Sequence, residues 1–149
     1  MPSQSPKDPT LPPRILLIDD DSSVRRNICT FLTDSGFEII EAANGAEGVL
    51  LFKREKPDLV LCDLRMPDMD GLEVIKEVTS ESSNTPVIVI SGYGEIGDAV
   101  QALRLGAADY LMKPIKDLEV LEYSVRRGLK EAALIAENLD YGKQLESTN

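Results

Sequence analysis

The feature that most constrains this chain is an alternation. Five short apolar runs are each followed by a longer amphipathic segment. The runs are Ile15-Leu16-Leu17-Ile18, residues 37–41, Leu59-Val60-Leu61-Cys62, Pro86-Val87-Ile88-Val89-Ile90 and Tyr110-Leu111-Met112. The first is continuous and rich in β-branched residues, as a strand buried on both faces is. After it, Ser22 or Ser23 can cap a helix carrying Val24, Ile28, Phe31 and Leu32 at helical spacing, with Gly36 as its stop. Asn44-Gly45 reads as a turn, 46–55 as a second helix ended by Pro57-Asp58, and 64–70 as a loop. A third helix over 71–79 shows Leu72, Ile75 and Val78 on one face, and 80–85 is a polar loop. A fourth helix over 96–105 stops at Gly106. Asp117 or a neighbour caps a fifth with Leu118, Leu121, Val125 and Leu129 inward. Five strand–helix units in strict order predict an α/β fold: a parallel sheet covered on both faces and joined by right-handed crossovers.

In such sheets ligands bind beyond the carboxyl ends of the strands. The residues there are Asp19 and Asp20, then Asp63, Ser91 and Lys113. They come from four strands, so one rim should gather them. Any one of them alone would more often be a solvated turn or cap residue; five of compatible chemistry on one rim carry the argument. Three carboxylates in one place repel each other unless a cation joins them, and Mg²⁺, which favours a few carboxylates with carbonyl and water oxygens, fits. A carboxylate can attack phosphorus to give an aspartyl phosphate. That transfer needs mainly positioning and charge neutralisation. Asp63, a lone carboxylate at the end of a central strand, is the best nucleophile candidate, and the pair Asp19-Asp20 suits the metal.

Composition enters as a set of exclusions. A net charge of −10 argues against direct nucleic-acid binding by this segment. Histidine is absent, removing the commonest general base and zinc ligand. Cys29 and Cys62 have no metal-like or redox-like spacing and read as packing residues. No apolar run approaches the roughly 18 residues of a membrane span. Residues 1–13, with five prolines and no apolar h-region, read as a disordered lead-in rather than a signal peptide, making a cytoplasmic location the expectation.

Four segments taken together resemble the CheY-like receiver domain of two-component response regulators. They are Ile15-Leu16-Leu17-Ile18-Asp19-Asp20-Asp21, Asp58-Leu59-Val60-Leu61-Cys62-Asp63-Leu64-Arg65-Met66-Pro67-Asp68-Met69-Asp70-Gly71, Pro86-Val87-Ile88-Val89-Ile90-Ser91-Gly92 and Gly106-Ala107-Ala108-Asp109-Tyr110-Leu111-Met112-Lys113-Pro114. The resemblance implies a flavodoxin-like, doubly wound three-layer sandwich with a five-stranded parallel sheet of order 2-1-3-4-5. It implies Mg²⁺-dependent transfer of a phosphoryl group to Asp63 from a sensor histidine kinase, a phosphotransfer protein or a small phosphodonor. By position, Asp20 and Asp63 would bind the ion directly, Asp19 largely through water, and Arg65 through its backbone carbonyl; Mn²⁺ is the alternative ion. Lys113 would pair with the phosphoryl group and Ser91 would hydrogen-bond it. Tyr110 matches the aromatic switch position, turning inward as Ser91 moves, and Lys113-Pro114 matches a cis-proline junction. The fourth helix, fifth strand and fifth helix would then present a changed face to an output domain, a partner protein or a second copy. The protein would be a signalling switch rather than an enzyme with turnover.

Two other readings compete. Asp19-x-Asp21, Ser91 and Lys113 loosely match a metal-dependent phosphatase of the haloacid dehalogenase type, but that leaves Asp63 and Met66-Pro67 unexplained. A phosphorylation-independent interaction module of the same fold is opposed by the intact site. Gly92-Tyr93-Gly94-Glu95-Ile96-Gly97 spells a dinucleotide fingerprint, but it follows the fourth strand, and the first strand ends in three aspartates that would repel a pyrophosphate. A mobile loop over the site is the better reading. Residues 119–144 lack proline, and Leu121, Val125, Ala132, Ile135 and Leu139 keep a rough 4-and-3 spacing. That predicts a helix continuing past the domain, as a coiled coil or a solvated helix; Gly128 and Gly142 weaken any heptad. The expected organisation is a lead-in over 1–13, a receiver over 14–128 and a helical extension over 129–149. The extension would lead toward a C-terminal output domain, as in RssB-like or effector-linked receivers.

Overall fold

A computed structural model of the chain describes residues 11–82, 84–92, 96–113, 115 and 117–147, with side chains described as far as Ile135 and not for Ile96. The elements are β1 (Arg14–Ile18), α1 (Ser22–Asp34), β2 (Glu38–Ala42), α2 (Gly45–Glu55), β3 (Leu59–Asp63), α3 (Gly71–Glu81), β4 (Val87–Ser91), α4 (Ile96–Arg104), β5 (Asp109–Met112) and α5 (Leu118–Ser147). The strands form one parallel sheet of order β2-β1-β3-β4-β5, the flavodoxin-like doubly wound arrangement that was expected.

Strand alternation explains the two cores. Leu16, Ile18, Val60, Cys62, Val87 and Val89 point to one face of the sheet. They pack there with Phe52 of α2, Val74, Ile75 and Val78 of α3, and Ala102 of α4. The intervening Ile15, Leu17, Leu59, Leu61, Ile88 and Ile90 point to the other face. They meet Ile28 and Leu32 of α1 and Leu121 and Val125 of α5. The three central strands are buried on both sides, which is why they read as continuous apolar runs.

Several boundaries differ from the sequence reading, each for a local reason. Asp21, not Ser22 or Ser23, caps α1, its carboxylate accepting from the amides of Ser23 and Val24. Asn44 caps α2 rather than shaping a turn. It accepts from the Glu47 amide while Glu47 accepts from the Ala43 amide, a reciprocal capping pair that starts the helix at Gly45. The third helix runs on to Glu81, and the fourth ends at Arg104. Phe37 precedes β2 and is buried in the α1/α5 core. Asp63 and Ser91 are the last residues of their strands rather than the first beyond them. Gly36 and Gly106, both at positive φ, follow α1 and α4 as read, and Asp117 accepts from the Glu119 amide at the start of α5. That last helix is continuous for 30 residues, from Leu118 to Ser147. Residues 1–10 of the lead-in expected over 1–13, the Gly-rich loop at 93–95, the proline of Lys113-Pro114 and the side chain of Leu139 lie outside the described residues.

Candidate functional site

The rim of the sheet gathers what the sequence scattered. Strands β1 and β3 are neighbours, with Ile18 opposite Cys62, so the next residues in each chain direction are Asp19 and Asp63. Carboxylate oxygens of Asp19, Asp20 and Asp63 all lie within 4.8 Å of one another. Asp19 and Asp63 are buried and Asp20 is exposed. Lys113 arrives from the far edge of the sheet. Its amide donates to the Ser91 carbonyl at 2.7 Å, and its ammonium reaches Asp19 Oδ2 at 2.9 Å and Asp63 Oδ2 at 3.3 Å. Ser91, itself buried, stands one residue past the β3 partner Ile90 on the same rim. Tyr110 lies two residues short of the rim on the α4 side. Its hydroxyl is shielded from solvent and has no hydrogen-bond partner among the described residues.

Burial dominates the electrostatics. It pushes the Asp63 carboxyl up to about 6. The Lys113 charge opposes that, the Asp19 charge adds to it, and hydrogen bonds from Lys113 and the Arg65 amide oppose it. For Lys113, burial acts to lower the ammonium, but the hydrogen bond and charge of Asp19, then those of Asp63, outweigh it and hold it above its ordinary range. Burial, reinforced by the charges of Asp63, Asp19 and Asp70, drives the Cys62 thiol far up, so it stays neutral and serves as packing, as the sequence suggested. Cys29 likewise packs from α1 against the α1/α5 core.

Other residues brace this site, among them Arg25 and Asp68, to which the sequence alone assigns no role. Arg25 of α1 donates from Nη1 to the Asp19 carbonyl at 2.6 Å and from Nε to Glu41 Oε1 at 3.2 Å. A cation near a helix N-terminus opposes the helix dipole, and α1 has no acidic residue in its first turn; that was the available signal. Asp68 of the β3–α3 loop accepts from the Gly45 and Ala46 amides at 3.1 and 3.0 Å, pinning the loop to the start of α2. Asp70 caps α3. A Cβ on Gly71 would stand 2.7 Å from the Asp63 carbonyl oxygen and from the Leu64 Cα, so only glycine lets the loop fold back on the strand end. Arg65 forms an ion pair with Asp98 of α4. Beside Lys113, a largely apolar pocket of about 400 Å³ opens between Val24, Asn27 and Ile28 of α1 and Ile115 and Leu118 at the start of α5.

The donor set is three carboxylates with a lysine at its edge and no thiolate or imidazole. That is a hard-oxygen set, suited to Mg²⁺ or Mn²⁺ rather than to zinc or copper.

The sequence model of the response regulator receiver domain matches residues 15–125. The chain is 46% identical over 117 residues to the regulatory protein AtoC of Escherichia coli (strain K12), covering 78% of this chain and 25% of that protein. Among solved structures, a response regulator receiver domain protein from Clostridium thermocellum superposes with a TM-score of 0.79 at 29% identity, covering 83% of this chain and 98% of that one. NtrX from Brucella abortus, solved in complex with ATP, gives 0.82 at 30% identity, covering 88% of this chain and 30% of that one. The chain spans about a quarter to a half of the length of the first curated relatives it matches.

Proposed function

The chain belongs to the response regulator receiver domain family, and we propose that it is switched by a phosphoryl group carried on Asp63. The observation that carries this reading is the triad of carboxylates within 4.8 Å with the Lys113 ammonium bridging two of them. In the proposed step a carboxylate oxygen of Asp63 attacks the phosphorus of a phosphohistidine on a sensor kinase or phosphotransfer protein, or of a small acyl phosphate. The new O–P bond forms as the bond to the imidazole nitrogen or acyl oxygen breaks, and the leaving group keeps the electron pair. Asp20, Asp63 and the Arg65 carbonyl would hold Mg²⁺, with Asp19 acting through water. When bound, the ion neutralises the clustered carboxylates and the phosphoryl oxygens. Lys113, already shared between Asp19 and Asp63, turns to the phosphoryl group, and the Ser91 hydroxyl hydrogen-bonds it. The pocket between α1 and α5 lies beside Lys113 and offers an apolar seat to the donor protein.

The readout follows from packing. Tyr110 keeps its hydroxyl shielded and without a partner among the described residues, and an unpaired buried hydroxyl typically costs about 1–3 kcal/mol. Movement of Ser91 toward a dianion at Asp63 would shift Tyr110 and, with it, the face of α4, β5 and α5. That face exposes Val100, Leu103, Met112, Val120 and Tyr123, and it would engage an output domain, a partner protein or a second copy. In this reading residues 14–128 form the receiver, and 129–149 lead toward an output domain. The chain acts in the cytoplasm as a switch rather than as an enzyme with turnover, and it contacts neither nucleic acid nor membrane itself. Its net charge is −10, and no helix among the described residues is long and apolar enough to cross a membrane.

The family match over residues 15–125 weighs against the haloacid dehalogenase reading. The direct test is incubation with acetyl phosphate and Mg²⁺ followed by intact mass. One added phosphoryl group is expected, absent without Mg²⁺ and absent in Asp63→Asn. Labelling that persists in Asp63→Asn would sink the assignment.

A further inference from the structure

We propose that Arg25 is a positioning residue that holds Asp20 in place for the divalent ion, an inference that rests on the acidic centre being the Mg²⁺ site. Asp20 is the exposed member of the three acids, so packing does little to fix it. Its position depends on the peptide plane it shares with Asp19, because the Asp19 carbonyl and the Asp20 amide belong to one rigid unit. Arg25 donates from Nη1 to that carbonyl at 2.6 Å. The rest of Asp19 is held too. Its amide donates to the Ala42 carbonyl at 3.1 Å, Oδ1 accepts from the Asp21 amide, and Oδ2 accepts from Lys113. With the carbonyl also anchored, the plane cannot rotate, and the chain leaves Asp19 in one direction. Release of Arg25 frees the one end of the Asp19 residue that faces Asp20.

The charge of the guanidinium is a difficulty that the structure answers. A lone cation beside the site would repel Mg²⁺. Here Nε of Arg25 is paired with Glu41 of β2 at 3.2 Å, and the Arg25 side chain is 18% exposed. The pair orients the carbonyl with little net charge. Arginine suits this task because one planar group serves two acceptors at once; a lysine ammonium is a single point on a flexible stem. The same view accounts for a cation in the second turn of a helix whose N-terminus disfavours it.

The test is a calorimetric Mg²⁺ titration of the intact chain as wild type, Arg25→Met, Arg25→Lys and Asp20→Asn. Partners that orient metal ligands are typically worth 10–100-fold in affinity, so Arg25→Met should bind Mg²⁺ about tenfold more weakly. Arg25→Lys should fall between it and the wild type, and Asp20→Asn should bind least. In the metal-free protein the Asp20 amide resonance should shift and broaden in Arg25→Met and less in Arg25→Lys. Equal or tighter Mg²⁺ binding by Arg25→Met would overturn the proposal, since a residue acting only as a nearby charge gives tighter binding when removed. If Arg25→Met does not fold, Arg25→Lys decides, and wild-type affinity in that variant overturns the proposal. Absence of saturable Mg²⁺ binding in the wild type would remove the metal site itself, a failure distinct from that of Arg25 alone.

Discussion

At Asp63 the burial that prepares the site also sets how the protein responds to pH. In the unfolded chain this carboxyl titrates near 3.8; in the metal-free fold burial pushes it to about 6. Between those values the folded state holds the proton that the unfolded state has lost. Stability therefore falls as pH rises through that window and levels off above it. The loss is on the order of 3 kcal/mol. Without Mg²⁺, Asp63→Asn should be the more stable protein in urea melts at pH 7 to 8, with the difference vanishing near pH 4. A wild type whose metal-free stability rises from pH 4 to 7 relative to Asp63→Asn would contradict the assignment. Protons and the ion also compete for this carboxylate, so Mg²⁺ affinity should weaken as pH drops below about 6, the value burial gives Asp63. The identities of Asp19, Asp20, Asp63, Ser91 and Lys113 were legible in the sequence because each ends a strand or follows one. The parts played by Arg25 and Asp68 were not, since each acts through a backbone group rather than a side chain, and in the case of Asp68 one 23 positions away.

Elements meet at the site through the β3–α3 loop, and that loop is clamped at both ends. Asp68 satisfies two amides at the start of α2, and Gly71 folds back on Leu64 with a 2.8 Å amide–carbonyl bond. Loss of a capping carboxylate typically costs about 1 kcal/mol. Asp68→Ala should lower the urea midpoint accordingly and speed amide exchange at Gly45 and Ala46, while Asn44 still holds Glu47. Gly71→Ala places a methyl 2.7 Å from backbone atoms that cannot step aside. Overpacking of this kind costs about 1–3 kcal/mol, and here it should also displace the Asp63 carbonyl and slow labelling by acetyl phosphate. A Gly71→Ala protein with wild-type stability and labelling would show that the loop is not held as described. The helix caps illustrate what local sequence cannot rank: Asp21, Ser22 and Ser23 are all competent caps, and the first intrahelical bonds chose Asp21.

Over the whole molecule, the described side chains divide into a packed domain and a helix that leaves it. Leu121 and Val125 are fully buried and Leu129 still packs on the sheet, whereas Leu134 and Ile135 are exposed. Truncation after residue 132 should change the thermal midpoint by only a few degrees, because residues 133–135, the last whose side chains are described, are exposed, and such positions contribute within about 0.5 kcal/mol each. A collapse of the fold would show that the extension belongs to the domain. Saturating Mg²⁺ should stabilise the intact chain by about 2.7 kcal/mol at a hundredfold excess over its dissociation constant, and Asp20→Asn should abolish that gain. The α/β class, the alternation, the strands buried on both faces and the types of residue at their ends are written in the amino-acid order. Those depend on short-range periodicity and on the chemistry of single side chains. The placement of β1 beside β3, the crossing of Lys113 from the sheet edge to bridge Asp19 and Asp63, and the grip of Arg25 on the Asp19 carbonyl emerge from the folded arrangement alone. The strand pairing and the Lys113 bridge join residues many positions apart, and the Arg25 contact, though only six positions long, spans the turn from β1 into α1, whose geometry no local periodicity specifies.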